Sequence, residues 1–462
     1  MATFEIITPA DDSVLAVRSR PTDEDIDAAL NLAGRSFKSW RENSLEHRIE
    51  LLGRAVDALV SLKEEIIVEI SSQMGRPIAY CGGEVNGFES RARTMLRLAP
   101  EALTPHSPSP LEGFERAIER VPLGTVVVLA PWNYPFLTAV NAVIPALAAG
   151  NVVVLKHSDQ TPLAAERMYE AFRAAGLPEG VFQYLHMNHE QVGRTIADPR
   201  VAYVCFTGSV TGGRAVQRAL SGTFTSSGLE LGGKDPAYIR EDADIEHAVA
   251  NIADGIFFNS GQSCCGIERV YVHERHFGHV VDGLVAFAEQ LKLGDPRDAT
   301  STLGPMVKAS AANAVRNQVD NAVRQGARAL INPQWFAADK NDTAYLAPQI
   351  LIDCDHSMEI MNEETFGPVA GVMPVGSDDE AVRLMNDSRY GLTASIWTHD
   401  RNAARAVGMR LETGTVFMNR CDYLDPDLAW TGVKESGRGA TLSRFGFDYL
   451  TRPKSFHFRL CW

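Results

Sequence analysis

The chain has 462 residues, of which 45% are hydrophobic, and its formal net charge at pH 7 is -14. This length predicts two or three connected domains with substantial cores. The acidic balance argues against nucleic acid or an anionic membrane surface as the main partner, because both attract basic faces. The seven cysteines are scattered without CxxC pairs, so the sequence indicates neither a disulfide framework nor a metal site.

The start of the chain shows no secretory signal, since residues 1–12 lack a basic region followed by an apolar core. No stretch is long and apolar enough to span a bilayer; residues 137–150 come closest, but Asn141 and Pro145 interrupt them. We therefore expect a cytoplasmic protein without a membrane partner.

Two amphipathic helices open the predicted fold. Thr22 and Asp25 form a capping-box pattern before apolar residues spaced three and four apart. A second long helix should begin near Ser44, with an apolar stripe that includes Ile49 and continues to Ile66. The proline-bearing residues 104–112 are predicted to form an exposed connection.

From Gly124 onwards, short apolar runs alternate with helical stretches. Continuous runs rich in β-branched residues are typical of a parallel sheet covered on both faces. The pattern therefore predicts an α/β fold, doubly wound, followed by a second α/β region. The predicted strands are 125–130, 151–156, 181–185, 201–207, 268–272, 369–375, 391–398 and 414–419, with an edge strand at 455–459. The predicted helices are 137–149, 162–175, 190–197, 244–257, 275–292, 308–325, 378–387 and 400–411.

The run FFNSGQSCC, residues 257–265, places a thiol just after a glycine-containing turn. The thiolate is the reactive form of cysteine, so a catalytic thiol must be reachable and easily deprotonated. The alternative is that Cys264 is a packed small hydrophobe, because free cysteines are among the most buried residues.

Ligands of open α/β sheets bind beyond the carboxyl ends of the strands, where three segments offer polar groups. After the first strand, Asn133 either donates its amide to an oxyanion or caps the next helix. After the second, Lys156 and Asp159 either hold the ribose hydroxyls of a nucleotide or belong to an ordinary helix start.

A glycine-rich turn at residues 206–213 suits the approach of a pyrophosphate. It matches neither GxGxxG nor a P-loop, so the alternative is an ordinary tight turn. Glu230 stands among apolar residues and glycines, where desolvation raises a carboxyl pKa towards that of a useful base. The alternative for Glu230 is a solvated surface acid. Glu363 and Glu364 form an acidic pair. The alternative to a functional role for both is that one of them is an ordinary solvent-exposed acid.

Together and in this order, these segments resemble the aldehyde dehydrogenase superfamily. The resemblance implies a Rossmann-like NAD-binding domain (1–102 and 123–232), an α/β catalytic domain (233–444) and a β oligomerisation element (103–122 and 445–462) of a homodimer or homotetramer. The matching segments are PWNYP (131–135), the Lys156 segment, FTGS (206–209), ELGGK (230–234), FFNSGQSC (257–264), EETFGPV (363–369) and GVKESGRG (432–439).

The resemblance implies NAD(P)-dependent oxidation of an aldehyde to a carboxylic acid. Cys264 matches the nucleophile, which forms a thiohemiacetal and then a thioester, and Asn133 matches the oxyanion donor. Glu230 matches the base that activates water. Asp159 favours NAD over NADP, because an acid at the ribose repels a 2′-phosphate. The residues that match the cofactor site are Trp132, Lys156, Asp159, Gly208, Ser209, Gly213, Glu364 and Phe366.

The sequence departs from the family pattern near the substrate, where the usual Pro-Phe-Gly-Gly is Ala-Trp-Thr-Gly (429–432) and residues 420–423 are unusual. A mostly apolar tunnel predicts medium-chain or aromatic aldehydes, unless Arg420 or Asp422 reaches its mouth. Alternatives are a semialdehyde or amino-aldehyde dehydrogenase, a CoA-acylating enzyme, which generally lacks the acid at Glu230, and a catalytically silent protein on the same fold. The predicted tunnel residues are Tyr134, Leu137, Thr138, Asn141, Phe258 and Trp430.

Overall fold

The computed structural model of the chain describes residues 2–460, so Cys461 and the last residue of the predicted oligomerisation element lie outside it. The N-terminal region is a hairpin followed by four helices. Its elements are β1 Thr3–Ile7, β2 Val14–Ser19, α1 Asp23–Trp40, α2 Leu45–Ser61, α3 Lys63–Met74 and α4 Ile78–Ala102.

The predicted cap of α1 is present: the Thr22 hydroxyl accepts the Asp25 N–H at 3.2 Å, and the Asp25 carboxylate accepts the Thr22 N–H at 2.8 Å. The second predicted helix begins after Ser44 as expected but breaks at Leu62, where ψ changes to 14°. Its apolar stripe continues on α3. Sequence patterns indicated no element for α4, because three glycines and Pro100 weaken its helical pattern. One of those glycines, Gly87, allows close packing, since a Cβ there would lie 2.3 Å from Leu137 Cδ2.

The first α/β region contains a parallel sheet with the strand order β8-β7-β4-β5-β6. Strands β4 and β5 are buried along their whole length, as a sheet covered on both faces requires. The elements of this region are β3 Phe114–Pro122, β4 Thr125–Ala130, α5 Pro135–Ala148, β5 Val152–His157, α6 Leu163–Ala174, β6 Phe182–Tyr184, α7 His189–Ile196, β7 Val201–Thr207, α8 Val210–Leu220 and β8 Ser226–Glu230.

The second α/β region contains a seven-stranded sheet, β11-β12-β13-β10-β9-β15-β16, that is parallel except for β11. Its first elements are β9 Asp235–Ile239, α9 Ile245–Phe257, β10 Ile267–His273, α10 Phe277–Glu289, α11 Ala309–Arg324, β11 Arg328–Ala329, β12 Gln349–Ile352, α12 Glu359–Asn362 and β13 Val369–Val375. Its later elements are α13 Asp378–Asn386, β14 Tyr390–Gly391, β15 Thr393–Trp397, α14 Arg401–Gly408, β16 Thr415–Met418, β17 Val433–Lys434, β18 Gly437–Arg438 and β19 Thr451–Arg459.

The two regions are joined by short pairings. Strand β18 returns to the first sheet, where Gly437 pairs with Glu230. The predicted tail strand is present as β19, which pairs antiparallel with β3 along nine residues. An isolated bridge joins His106, which precedes β3, to Ile118 within β3, so residues 106–118 follow a hairpin-like path.

The predicted α/β fold is confirmed, and most predicted strands and helices lie within two or three residues of their observed bounds. Among residues 2–460, no helix is both long and apolar enough to cross a membrane. The same part of the chain contains no group of three or more His, Cys, Asp or Glu side chains arranged to hold a metal ion.

Candidate active site

A strained turn presents the cysteine segment. Helix α9 ends at Phe257, and Asn259, Ser260 and Gly261 then follow with φ values of 54°, 56° and 68°. Left-handed backbone is costly for residues other than glycine, so surrounding bonds must fix it. The Ser260 hydroxyl donates to the Gly304 carbonyl at 2.8 Å, and a Cβ on Gly261 would lie 2.1 Å from the carbonyl oxygen of Gly367.

The two adjacent thiols differ in their surroundings. Both residues line the pocket in front of the turn, but Cys264 is partly exposed, whereas Cys265 is 2% exposed and its thiol donates to Asp422 Oδ1 at 2.9 Å. The neighbouring Cys264 thiol, burial and the Asp422 carboxylate raise the pKa of Cys265. A thiol in this condition is a poor nucleophile, so the structure favours Cys264.

Glu230 ends β8 and lines the same pocket as Cys264. Its carboxylate accepts hydrogen bonds from the hydroxyls of Thr207, at 3.2 Å, and Thr441. Burial raises the pKa of Glu230, although both hydroxyls and Arg91 act in the opposite direction. The carboxyl is therefore a stronger base than a solvated glutamate. No sequence pattern indicated Thr441, which lies far from Glu230 along the chain.

Asn133 lies in the turn between β4 and α5 and is 4% exposed. It does not cap α5, whose N-cap residue is Tyr134 without a side-chain hydrogen bond. Instead, Asn133 Nδ2 donates to the Gln262 carbonyl at 3.2 Å, which ties it to the cysteine segment. Because a side-chain amide has two N–H donors, the second remains for an oxyanion.

A buried ion pair that sequence reasoning missed supports this arrangement. Arg76 Nη1 lies 3.0 Å from Glu84 Oε1, and the two side chains are 2% and 0% exposed. Glu84 Oε2 accepts the N–H groups of Phe136 and Leu137, each at 3.1 Å, at the start of α5. Arg76 also donates to the Asn133 carbonyl at 2.7 Å. The pair thus joins α4, α5 and the Asn133 turn.

Replacing Glu84 with Gln should destabilise the protein by about 3 kcal/mol or more, because it leaves the Arg76 charge buried without a partner. Urea unfolding measures this change. The matched control is Glu89→Gln, on the same helix, whose exposed pair with Arg93 should contribute less than about 1 kcal/mol. Equal unfolding midpoints for the two variants would contradict the assigned role of Glu84.

The carboxyl end of β5 carries a cluster of charges. Lys156 Nζ lies 3.2 Å from Asp159 Oδ1, so the two residues predicted to hold a ribose are neighbours. Arg20, which follows β2, adds two further bonds to Asp159: Nη1 to Oδ1 at 2.9 Å and Nη2 to Oδ2 at 2.5 Å. Although burial acts in the opposite direction, Arg20 and Lys156 lower the pKa of Asp159. The carboxylate is therefore ionised, but two cations compensate its charge.

The turn between β7 and α8 has the backbone that a pyrophosphate site needs. Ser209 is the N-cap of the eleven-residue α8, and its hydroxyl accepts the Gly212 N–H at 3.1 Å. A Cβ on Gly208 would lie 2.8 Å from the Phe206 ring, and one on Gly213 would lie 2.8 Å from Leu231. The glycines thus allow close packing at a helix start whose N–H groups and dipole favour an anion.

Glu364, Phe366 and Trp132 lie together near the segment that carries Glu230. Glu364 Oε1 accepts the Gly233 N–H at 3.0 Å, and the Trp132 and Phe366 rings meet edge to face at 5.7 Å. Burial and the Glu268 charge raise the pKa of Glu364 to about 8. A carboxyl group here, aromatic rings and an exposed helix start fit the ribose, ring and phosphate parts of a dinucleotide.

A second buried ion pair, also absent from the predictions, fixes this loop. Lys234 Nζ lies 2.6 Å from Glu268 Oε2, and neither side chain is more than 4% exposed. Glu268 accepts the N–H groups of Thr365 and Phe366, each at 2.8 Å. The pair thereby positions the residues that follow Glu364.

A cavity of about 480 Å³, here called the central pocket, lies in front of Cys264 and Glu230. The six predicted tunnel residues all line it: Tyr134, Leu137, Thr138, Asn141, Phe258 and Trp430. Besides Glu230, four charged residues accompany this mostly apolar lining, namely Arg76, Arg91, Asp254 and Asp422. Arg420 is absent from the described lining, and its guanidinium stacks 3.7 Å above the Tyr423 ring.

Comparisons with known proteins agree with this geometry. A succinate semialdehyde dehydrogenase [NAD(P)+], Sad, of Escherichia coli (strain K12) is 36% identical over 440 residues, which cover 95% of this chain and 94% of that protein. The solved betaine aldehyde dehydrogenase of Staphylococcus aureus with NAD+ is 29% identical, with a TM-score of 0.94 over 99% of this chain and 92% of that one. The succinic semialdehyde dehydrogenase of Streptococcus pyogenes with NADP+ is 28% identical, with a TM-score of 0.94 over 99% of this chain and 100% of that one.

The family model described as "Aldehyde dehydrogenase family" matches residues 1–456, nearly the whole chain. Family and fold predicted from the sequence are thus confirmed, and with them the class of enzyme, an oxidoreductase. The chain belongs to the aldehyde dehydrogenase family.

Proposed function

We propose that the protein oxidises an aldehyde to a carboxylic acid with NAD(P)+, through a covalent intermediate on Cys264. The observation that carries this proposal is that the partly exposed Cys264 and the buried Glu230 line one pocket. Trp132, Lys156, Asp159, Gly208, Ser209, Gly213, Glu364 and Phe366 are the residues that would hold the dinucleotide. When bound, NAD(P)+ supplies the hydride acceptor of the oxidation.

In the first half of the reaction, the Cys264 thiolate attacks the aldehyde carbon and forms a thiohemiacetal. The free N–H of Asn133 and the backbone N–H of Cys264 stabilise the oxyanion that develops. The ties of Asn133 to Gln262 and Arg76 keep this donor in place before substrate arrives. Loss of hydride from the thiohemiacetal leaves a thioester on Cys264.

In the second half, Glu230 takes a proton from water, and the resulting hydroxide attacks the thioester carbonyl. The carbon–sulfur bond breaks, the carboxylic acid leaves, and Cys264 returns as a thiolate. The raised pKa of Glu230 suits this role, because a more basic carboxylate removes a proton more readily.

The carboxylate of Glu230 favours hydrolysis of the thioester over transfer of the acyl group to CoA, because transfer to CoA needs no base at this position. The test is NAD(P)H absorbance with a panel of aldehydes, in the presence and absence of CoA. Turnover without CoA supports the proposal, and strict CoA dependence contradicts it. No turnover with any aldehyde would favour a catalytically silent protein.

For the choice of dinucleotide, we propose that Arg20 decides how strongly Asp159 opposes NADP+. Arg20→Met should weaken NADP+ binding about tenfold more than NAD+ binding, because Asp159 then meets a 2′-phosphate with one compensating cation fewer. Quenching of tryptophan fluorescence gives both Kd values. Arg18→Met, which breaks the neighbouring pair with Glu166, is the control. Equal changes in both Kd values would contradict this role.

For the substrate, we propose an aldehyde with a charged far end, ahead of the medium-chain or aromatic aldehydes that the sequence predicted. The charged lining of the central pocket supports this choice. Two of the similar proteins also bear names that specify succinate or succinic semialdehyde.

For the assembly, we propose the predicted division into NAD-binding domain, catalytic domain and oligomerisation element, with subunits meeting at the β3–β19 ribbon. An isolated two-stranded ribbon is marginally stable, and most residues of β19 are exposed. Light scattering on the eluting protein tests this: a homodimer or homotetramer supports it, and a monomer contradicts it.

A further inference from the structure

Arg91 on α4 lines the central pocket and is only 9% exposed. Its Nη1 donates to the Leu137 carbonyl at 2.6 Å and approaches Asn141 Oδ1 at 3.4 Å. Its Nε and Nη2 make no hydrogen bond to residues 2–460, and no carboxylate among them lies within 4 Å. The other arginine of the pocket, Arg76, is paired with Glu84 and therefore lacks this free capacity.

A guanidinium stays charged in proteins, and a buried charge is costly unless it is paired. Burial accordingly lowers the pKa of Arg91. More distant acidic groups, of which Glu84 has the largest effect, raise this pKa but offset only part of the decrease. Arg91 thus offers most of its planar donor fork to the pocket without a counter-charge. Carboxylates match that fork in shape and charge.

The acids of the pocket do not supply an equivalent site for a cation. Asp422 Oδ1 already accepts hydrogen bonds from Ser263 and Cys265, each at 2.9 Å. Burial raises the pKa of Asp422, and burial together with Asp422 raises that of Asp254. The ionised form of Asp422 is therefore disfavoured, and Asp254 is an exposed residue, whereas Arg91 is a buried group that stays charged. This imbalance favours an anionic substrate group over an amine.

We propose that Arg91 binds a carboxylate at the far end of the substrate, which makes the substrate a short aldehyde acid. The inference rests on the proposed function, since it assumes that the aldehyde end lies at Cys264. In this arrangement the carboxylate approaches Nε and Nη2, and Asn141 holds Nη1. The similar proteins named for succinate or succinic semialdehyde agree with the substrate class. The assignment to Arg91 comes from this chain alone.

The test compares succinic semialdehyde with its methyl ester, in which a neutral ester group replaces the carboxylate and the aldehyde end is unchanged. The wild-type protein should prefer the acid in kcat/KM. Arg91→Met should lower the acid-to-ester ratio by about 10- to 100-fold, the range expected for hydrogen bonds to a charged group. Arg91→Lys should restore part of it, because a lysine keeps the charge but not the fork. Arg93→Met, which removes an exposed arginine of the same helix, should leave the ratio unchanged.

Two results would overturn the inference: a wild-type protein without preference for the acid, or an Arg91→Met variant that loses acid and ester activity equally. The second result would place Arg91 in the reaction at Cys264 or in the fold. If Arg91→Met does not fold, the acid-to-ester ratios of the wild-type protein and of Arg91→Lys test the inference. Failure of the proposed function looks different, because the wild-type protein would then oxidise neither compound.

Discussion

Cys264→Ala is expected to reduce aldehyde oxidation on the order of 10⁴-fold or more, because alanine cannot form the covalent intermediate. Dinucleotide binding should persist, since the residues proposed to hold it lie in other segments. Steady-state absorbance of NAD(P)H and fluorescence titration with NAD+ measure the two properties separately.

The matched control is the adjacent thiol. Cys265→Ala should retain most activity, because its thiol is buried and donates to Asp422. Loss of activity in Cys265→Ala as complete as in Cys264→Ala, with wild-type unfolding midpoints for both variants, would contradict the assignment of Cys264 as the nucleophile.

Glu230→Gln should separate the two halves of the reaction. Glutamine preserves size but cannot accept a proton, so a first burst of NAD(P)H should form at the wild-type rate while steady turnover falls about 10²- to 10⁴-fold. Stopped-flow absorbance resolves the burst from the slow phase. Steady turnover equal to that of the wild-type protein would remove Glu230 from the mechanism.

The pH dependence gives a second test of Glu230. Its deprotonated form is the base, so kcat should fall as the pH decreases through its raised pKa. Thr441→Val removes a hydrogen bond that lowers this pKa, and should therefore move the acidic limb of the profile to higher pH. An unchanged limb would show that another group controls it.

The parts that local sequence predicted well are those that local physics determines. Strands β4 and β7 were predicted at their observed bounds, because short, mainly apolar runs that contain β-branched residues suit a parallel sheet covered on both faces. The cap of α1 depends on two residues three positions apart, so it too could be read from the pattern. Cys264, Glu230 and Asn133 were found through the segments that resemble the family.

The parts that sequence could not predict depend on pairs that meet only in the folded chain. Arg20 and Asp159 are 139 positions apart, and no periodicity connects them. Arg91 looks like any polar residue of a glycine-containing segment until α4 packs against α5 and encloses it. Asp422, which has a left-handed φ of 45°, also lines the central pocket only once distant segments of the chain have packed together.

The central claim is that Cys264 carries an acyl group that Glu230 releases to water. Mass spectrometry of the Glu230→Gln variant, quenched in acid after mixing with NAD+ and an aldehyde, tests it most directly. We expect the peptide containing residue 264 to gain the mass of the acyl group and fragmentation to place that group on Cys264. An unmodified peptide after a complete hydride burst, or an acyl group on Cys265, would contradict it.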